Sequence, residues 1–213
     1  MRYASACLLF AFTTLMNQSV QTDPGTPSRG AFAPGPWVLG VMIVVAAMTR
    51  LMPHPPNFSP VAAMALFGGA YFASRAWAVA VPLLAMLLSD LVMATVAGGM
   101  YLNHMLGFSF LAIYACIAFS SVLGFSLRGR VGGAGVLGYS LLGAALFFLV
   151  TNFAVWAGGS MYPMSLRGLG AAYVAGIPFF QWTVLGTLFY AAVLFGGFAL
   201  MRKAVPALRV ATA

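Results

Sequence analysis

Long runs without charge are the feature that most constrains this chain. Residues 76–97 carry one charged residue, Asp90, and residues 135–156 carry none. A helix needs about 20 predominantly apolar residues to cross the hydrocarbon core of a bilayer, so each run predicts a transmembrane helix. Only 6% of the chain is charged, against about 25% in soluble domains. The sequence therefore predicts a membrane protein without a soluble catalytic domain.

Six apolar segments follow one another along the chain, at 37–52, 58–74, 76–97, 105–125, 135–156 and 174–201. They are continuous and mostly of helix length, which predicts an all-α, polytopic protein with six transmembrane helices. We divide the chain into an N-terminal extension (1–36), a six-helix domain (37–203) and a cytoplasmic tail (204–213). A short apolar run at 5–16 makes the extension a candidate signal-like or interfacial segment.

The distribution of positive charge predicts the orientation. Cytoplasmic loops of membrane proteins carry an excess of Lys and Arg. Six spans with both termini in the cytoplasm leave only Arg50 and Arg167 on the outer side. The inner side then receives Arg75, Arg128, Arg130, Arg202, Lys203 and Arg209, joined by Arg29 when the first span begins at Trp37.

Composition and motifs exclude several functions. The net charge of +8 would suggest nucleic acid as a partner of a soluble protein, but here the basic residues stand singly or in pairs between apolar runs. Cys7 and Cys116 lie in apolar runs without CxxC spacing, so we predict neither a disulfide framework nor a zinc site. The motifs of nucleotide hydrolases, metalloproteases and serine hydrolases are absent. We expect no enzyme, no cofactor and no nucleic-acid partner.

Polar residues concentrate on the predicted outer side. The outer connections, 53–58, 98–104 and 158–173, contain both histidines. Asp90 lies seven residues before the outer end of its segment, about 10 Å along a helix axis. Further polar side chains stand near the outer ends of the fifth and sixth segments. We predict one outward-facing cavity for a small molecule, lined by Asp90, His54, Asn57, Asn103, His104, Asn152, Trp156 and Gln181.

Asp90 is the only acid within a predicted span. A carboxylate at that depth is costly, so it usually faces a partner or a water-filled cavity. Three interpretations follow: contact with a ligand or ion, an internal ion pair with Arg50, or a protonated carboxyl group that is hydrogen-bonded across helices. For His54 and His104, a ligand contact competes with a structural role at the interface or in the first turn of a helix.

Small residues recur at four-residue spacing in the second segment, at Ala65, Gly69 and Ala73. Such spacing lets helix backbones approach closely. It predicts either packing inside the protein or docking on a partner, and internal packing is the simpler of the two.

Four stretches resemble one family of membrane proteins: RLMPHPPNFSPVAAMALFGGAYF (50–72), VPLLAMLLSDL (81–91), LVTNFAVW (149–156) and YVAGIPFF (173–180). They are similar to small bacterial six-helix membrane proteins that are uncharacterised or described as similar to S components of energy-coupling-factor (ECF) vitamin transporters. The resemblance covers about residues 37–200. It implies six helices in the bacterial inner membrane, both termini in the cytoplasm, and a site for a vitamin or related micronutrient near the outer face.

One departure from the family pattern bears on which partner the resemblance implies. S components that dock on a shared ECF energising module usually carry AxxxA on helix 1, whereas residues 39–50, LGVMIVVAAMTR, have no Ala at that spacing. The resemblance then favours the solitary members, among which cobalamin binders are the best-defined class. Those tend to place a cysteine ligand near the outer loops, and neither Cys7 nor Cys116 fits. With a corrinoid as substrate, His104 would be the axial metal ligand, with His54 as the second candidate.

We therefore expect a substrate-binding membrane transporter for uptake of a vitamin-like molecule, with cobalamin as one candidate. The alternative is a membrane assembly or scaffold subunit without a small-molecule site, in which the polar residues serve helix packing alone.

Overall fold

Helices build the part of the chain that the structure describes. The computed structural model describes residues 34–159, 161–205 and 208, apart from the side chains of Pro34, Met100 and His104. These residues contain no β-strand, and the predicted all-α class is confirmed for them. Most of the predicted extension (1–36) and of the predicted tail (204–213) lies outside the described residues.

Eight α-helices are described. They are α1 (Pro34–Met48), α2 (Val61–Tyr71), α3 (Arg75–Ala97), α4 (Gly99–Met105), α5 (Phe108–Phe125), α6 (Gly133–Gly158), α7 (Leu166–Ala191) and α8 (Gly197–Ala204). A 3₁₀ turn, Thr49–Leu51, follows α1. A π-helical segment, Ala192–Gly196, joins α7 to α8, so that Leu166–Ala204 is one continuous helix.

Two connections differ from the predicted segments. Residues 99–105 form the short helix α4, where the sequence predicted mostly loop. The last long helix begins at Leu166 instead of residue 174. Ser165 explains that early start, because its hydroxyl accepts a hydrogen bond from Gly168 N at 3.2 Å and so caps the first turn.

Four helices are long and apolar enough to cross a membrane by length and composition: α3, α5, α6 and the continuous helix Leu166–Ala204. Their outward surfaces are apolar as well; on α3, Leu84, Leu88 and Leu91 are about half exposed. These features indicate a membrane protein. The remaining two predicted spans correspond to α1 and α2, whose 15 and 11 residues fall short of about 20.

The short helix α2 is the centre of the fold. All of its residues are buried, as expected for a helix that is apolar on every side. A Cβ atom on Gly69 would lie 2.9 Å from the Cα of Gly124 on α5, and would overlap the carbonyl of Ser121. Only glycine permits this contact between the two backbones. The small-residue spacing therefore serves internal packing at Gly69, as predicted.

The bundle has two chemically different ends. The polar end comprises the connections 49–60 and 98–107 together with residues 159 and 161–165. The basic end comprises the connections 72–74 and 126–132 together with the last turn of α8. At the basic end, Arg128 donates to the carbonyl oxygens of Gly69 at 2.9 Å and Phe72 at 2.8 Å. Its guanidinium also lies 4.4 Å from the centre of the Phe125 ring, so Arg128 joins the ends of α2 and α5.

Candidate functional site

Asp90 is the centre of a buried polar network near the polar end. Its side chain is fully buried on α3. Arg50, on the 3₁₀ turn after α1, donates from Nη1 to Asp90 Oδ1 at 2.7 Å. The same nitrogen lies 2.6 Å from Ser89 Oγ and 3.0 Å from Met86 Sδ. Of the three interpretations of Asp90, the internal ion pair with Arg50 is the one present here.

Two tyrosines complete the network. Tyr101 of α4 donates to Asp90 Oδ1 at 2.8 Å, and Tyr114 of α5 donates to Oδ2 at 2.7 Å. Both carboxylate oxygens therefore accept bonds from protein donors, which offsets part of the cost of burying the charge. Tyr101 lies outside the four long helices. Burial and its bond to Asp90 raise its pKa above the ordinary value of 10.0, so the hydroxyl remains a donor at neutral pH.

A cavity of about 220 Å³ lies beside this network. Arg50 and Tyr101 line it and Asp90 does not, so the carboxylate sits behind its partners. The exposed fractions agree, at 16% for the Arg50 side chain and 0% for Asp90. The α1–α2 connection and helices α2, α3, α5, α6 and α7 supply the other walls: His54, Asn57, Ser59, Val61, Ala62, Met86, Met93, Ile113, Phe147, Thr183 and Thr187.

The α1–α2 connection is fixed over the cavity by contacts with α7. The ring of Phe58 lies 5.7 Å from that of Phe189 and 5.8 Å from that of Tyr190. A Cβ on Gly186 would lie 3.0 Å from the Cα of Phe58, so the glycine allows the connection to rest directly on the helix. Asn57 has a φ of +66°, a left-handed conformation that Asn tolerates better than most residues. The path of this connection is thus set by particular side chains.

The cavity presents both donors and acceptors. His54 Nδ1 lies 2.9 Å from the carbonyl oxygen of Pro55, and since a carbonyl only accepts, this nitrogen carries the proton. In the neutral ring, Nε2 is then an acceptor. The hydroxyl of Ser59 is buried and has no hydrogen-bond partner among the described residues. Together with the neutralised Arg50–Asp90 pair, these groups suit a polar ligand of small net charge.

The comparisons with known proteins identify one family. A family of unknown function, DUF6580, matches residues 31–208. The chain belongs to this family. No curated protein and no solved structure is significantly similar to the chain. The DUF6580 match covers the Asp90 network and both ends of the bundle.

Of the predicted site residues, His54 and Asn57 line the cavity of this DUF6580 chain and Asp90 lies behind it. Asn152 and Trp156 do not line it. Asn152 Nδ2 donates to the carbonyl of Phe148, one turn earlier on α6, at 2.8 Å. Trp156 Nε1 donates to the carbonyl of Pro163 in the α6–α7 connection at 3.0 Å. Both polar groups therefore already have bonds within the protein.

The other predicted site residues are also separate from the cavity. Asn103 on α4 and Gln181 on α7 are exposed and do not line it. The side chain of His104 lies outside the described residues, so its role as an axial ligand stays a prediction. The described residues contain no group of three or more potential metal ligands.

Sequence reasoning missed six polar residues of the network and the cavity: Ser59, Ser89, Tyr101, Tyr114, Thr183 and Thr187. Thr183 and Thr187 stand four residues apart in an apolar helix and share one face, which is a signal that could have been used. Tyr114 is also informative in principle, because a buried phenol usually finds a hydrogen-bond partner. Its partner Asp90 is 24 residues away, however, and only the packing of α3 against α5 brings the two together.

Proposed function

We propose that this chain binds a small polar molecule in the cavity at the polar end and mediates its uptake, in the manner of an S component of a vitamin transporter. The observation that carries this proposal is the cavity itself. Five helices and the α1–α2 connection contribute to it beside Arg50 and Tyr101. Pockets of this kind, apolar with a few converging polar groups, are typical of small-molecule sites.

The size of the cavity bears on the substrate. Sites for drug-sized ligands occupy about 300–1,000 Å³, and this one measures about 220 Å³. A corrinoid is larger than most drug-sized ligands and would require the connections around the cavity to move apart. The cavity therefore favours a small vitamin or micronutrient over cobalamin.

The proposed topology is six crossings of the bacterial inner membrane, with both termini in the cytoplasm and the polar end outside. In this arrangement α1 and α2 are short crossings that neighbouring helices support. Single cysteines at Leu106, Arg130 and Met161, in a variant without Cys7 and Cys116, test it with an impermeant reagent. We expect labelling from outside at 106 and 161 only; labelling at 130 from outside would contradict the topology.

The direct test of binding is thermal unfolding of the detergent-purified protein with a panel of vitamins. A ligand that binds only the folded state raises stability by RT ln(1 + [L]/Kd). The variant Thr183→Val/Thr187→Val removes two cavity hydroxyls with little change of shape, and we expect it to weaken binding about tenfold. Thr95→Val is the matched control, because Thr95 is exposed on α3 and does not line the cavity.

One observation favours the second candidate function, a membrane assembly subunit without a small-molecule site. Arg50, Tyr101 and Tyr114 engage both oxygens of Asp90, as a purely structural network would. Under that function, no vitamin in the panel raises the unfolding temperature of the wild type. The Thr183→Val/Thr187→Val variant and the Thr95→Val control are then equally insensitive to vitamins. Docking on an ECF energising module is less favoured than independent action, since residues 39–50 lack AxxxA.

A further inference from the structure

Arg50 is bonded to the protein through one edge of its guanidinium group. Its hydrogen bonds to Asp90, Ser89 and Met86 all start at Nη1, at 2.7, 2.6 and 3.0 Å respectively. Tyr101 donates to the same carboxylate oxygen that Nη1 contacts, so it stands on the Asp90 side of the group. Nε and Nη2 make no hydrogen bond with the described residues. A guanidinium has five N–H donors, and the three on Nε and Nη2 are therefore unused.

The unused edge of Arg50 is accessible from the cavity at the polar end. The side chain lines this cavity and is 16% exposed. Among the described residues, the buried side-chain atoms without a partner belong to Ser59, Ser121 and Ser140. Nε and Nη2 of Arg50 are not among them, so both nitrogens are open to a molecule in the cavity.

The geometry of this edge favours a carboxylate. Nε–H and one N–H of Nη2 point the same way in one plane, and the two oxygens of a carboxylate accept both bonds at once. Asp90 depends on Arg50 only in part, because Tyr101 and Tyr114 also donate to it. Asp90 is the one acid among the described residues, so a ligand with a single carboxylate meets no second described acid.

The rest of the cavity fits the remainder of such a ligand. The buried hydroxyl of Ser59 lines the cavity without a partner, and buried polar groups of this kind usually have one. Met93, Ile113 and Phe147 form an apolar part of the wall. The cavity therefore offers hydrogen-bond donors to an acceptor group and an apolar surface to the body that carries it.

We propose that the ligand of this cavity is a small monocarboxylate. Its carboxylate binds side-on to Nε and Nη2 of Arg50, and its apolar or aromatic body lies against Met93, Ile113 and Phe147. Ser59 supplies a further donor. This inference rests on the proposed function, because it names the class of molecule that the cavity binds.

Thermal unfolding of the detergent-purified protein tests it with acids and their amides: nicotinate and nicotinamide, lipoate and lipoamide, 4-aminobenzoate and 4-aminobenzamide. We expect at least one acid to raise the Tm, and its amide to bind about tenfold more weakly. Arg50→Lys keeps a positive charge beside Asp90 but removes the side-on donor pair, so it should weaken binding of the acid about tenfold and abolish the preference over the amide. Arg167→Lys, at an exposed residue that does not line the cavity, is the matched control.

A serine pair provides a second measurement should Arg50→Lys fail to fold. Ser59→Ala should weaken binding of the acid about fivefold. Ser121→Ala is its control, because that hydroxyl is also buried without a partner but does not line the cavity.

The outcomes separate this inference from the proposed function. Equal stabilisation by acid and amide, or stabilisation only by neutral vitamins such as riboflavin and pyridoxine, would overturn the carboxylate inference and leave the proposed function standing. Equal effects of Arg50→Lys and Arg167→Lys on acid binding would overturn the inference as well. If no acid, amide or neutral vitamin raises the Tm, both the inference and the proposed function fail.

Discussion

The two ends of the bundle stabilise charge in different ways. Near the polar end, Arg50 and Asp90 neutralise each other inside the protein, and Tyr101 and Tyr114 donate further hydrogen bonds to the carboxylate. At the basic end there is no described acid, and Arg128 is held by backbone carbonyls and an aromatic ring. The first arrangement pairs opposite charges, whereas the second holds the Arg128 cation with backbone oxygens and an aromatic ring.

This difference affects what the cavity at the polar end would bind under the proposed function. The small cavity borders a neutral network, so hydrogen-bond geometry decides what it accepts. Removing a charge should therefore reduce folding stability at both ends, and more at the polar end, where an unpaired buried charge would be left.

The largest expected effect is that of Asp90→Asn. The change keeps the shape of the side chain but leaves Arg50 without its counter-charge in a largely buried position. Breaking a buried pair in this way costs about 3–5 kcal/mol, which thermal unfolding in detergent measures as a lower Tm. The double variant Arg50→Gln/Asp90→Asn should recover part of the lost stability, because it leaves no unpaired charge.

Arg167→Gln is the control for charge alone at the polar end, since Arg167 is exposed, and it should change stability by less than about 0.5 kcal/mol. If Asp90→Asn were as stable as the wild type, the carboxylate would not be a structural partner of Arg50. The interpretation of Asp90 as a direct ligand contact would then be favoured.

A second variant tests the centre that both ends share. A Cβ on Gly124 would lie 2.8 Å from the Cα of Gly69 and overlap the carbonyl of Leu66. Gly124→Ala should therefore force α2 and α5 apart and destabilise the protein by about 3 kcal/mol. Gly138→Ala on α6 meets nothing within 4 Å and should stabilise by up to about 1 kcal/mol. Similar effects of the two variants would contradict close packing of α2 on α5.

A smaller effect is expected for Arg128→Gln at the basic end. It removes the hydrogen bonds to Gly69 and Phe72, and charged hydrogen bonds contribute about 2 kcal/mol. Arg130→Gln is the matched control, because Arg130 is exposed and donates only to Ser126, within its own connection, at 2.8 Å. If chemical denaturation gives both variants the same free energy of unfolding, Arg128 does not join α2 to α5.

The smallest effect concerns Tyr101→Phe, which we expect to cost about 1 kcal/mol at neutral pH. The pKa of Tyr101 is raised in the folded protein, so its contribution is complete below pH 10 and is lost as pH rises through the folded-state pKa. Unfolding between pH 8 and 11 should show a shallower loss for Tyr101→Phe than for the wild type. Tyr162→Phe should follow the wild type, and a parallel decline in all three would exclude the Tyr101–Asp90 bond as the cause.

The long helices were predictable because a continuous apolar run such as 135–156 satisfies its backbone hydrogen bonds in a bilayer by forming a helix. The local detail was not. α4 contains Gly99, a poor helix former, and the early start of α7 depends on one cap at Ser165. The two short helices illustrate a different limit: composition identified 58–74 as apolar, but the 11-residue length of α2 follows from the connections on either side.

The candidate site was predictable in part. Depth and charge identified Asp90, and Arg50 was its natural partner, while proline-bounded His54 and nearby Asn57 were placed on the correct end. Asn152 and Trp156 were assigned to the cavity from their position along α6, yet both bond within the protein. Position along a helix gives depth in the bundle, but the direction of a side chain depends on the neighbours that only the folded structure brings together.

Helix α2 has one further consequence, for the electric field inside the bundle. Its first residues, Val61 and Ala62, border the cavity at the polar end, and its last residue, Tyr71, borders a cavity of about 950 Å³ at the basic end. Eleven helical residues span about 16 Å, roughly half of a hydrocarbon core of about 30 Å. In the proposed topology, water in both cavities would make a transmembrane voltage fall mainly across this thin apolar layer, and the local field would be about twice that in the surrounding lipid.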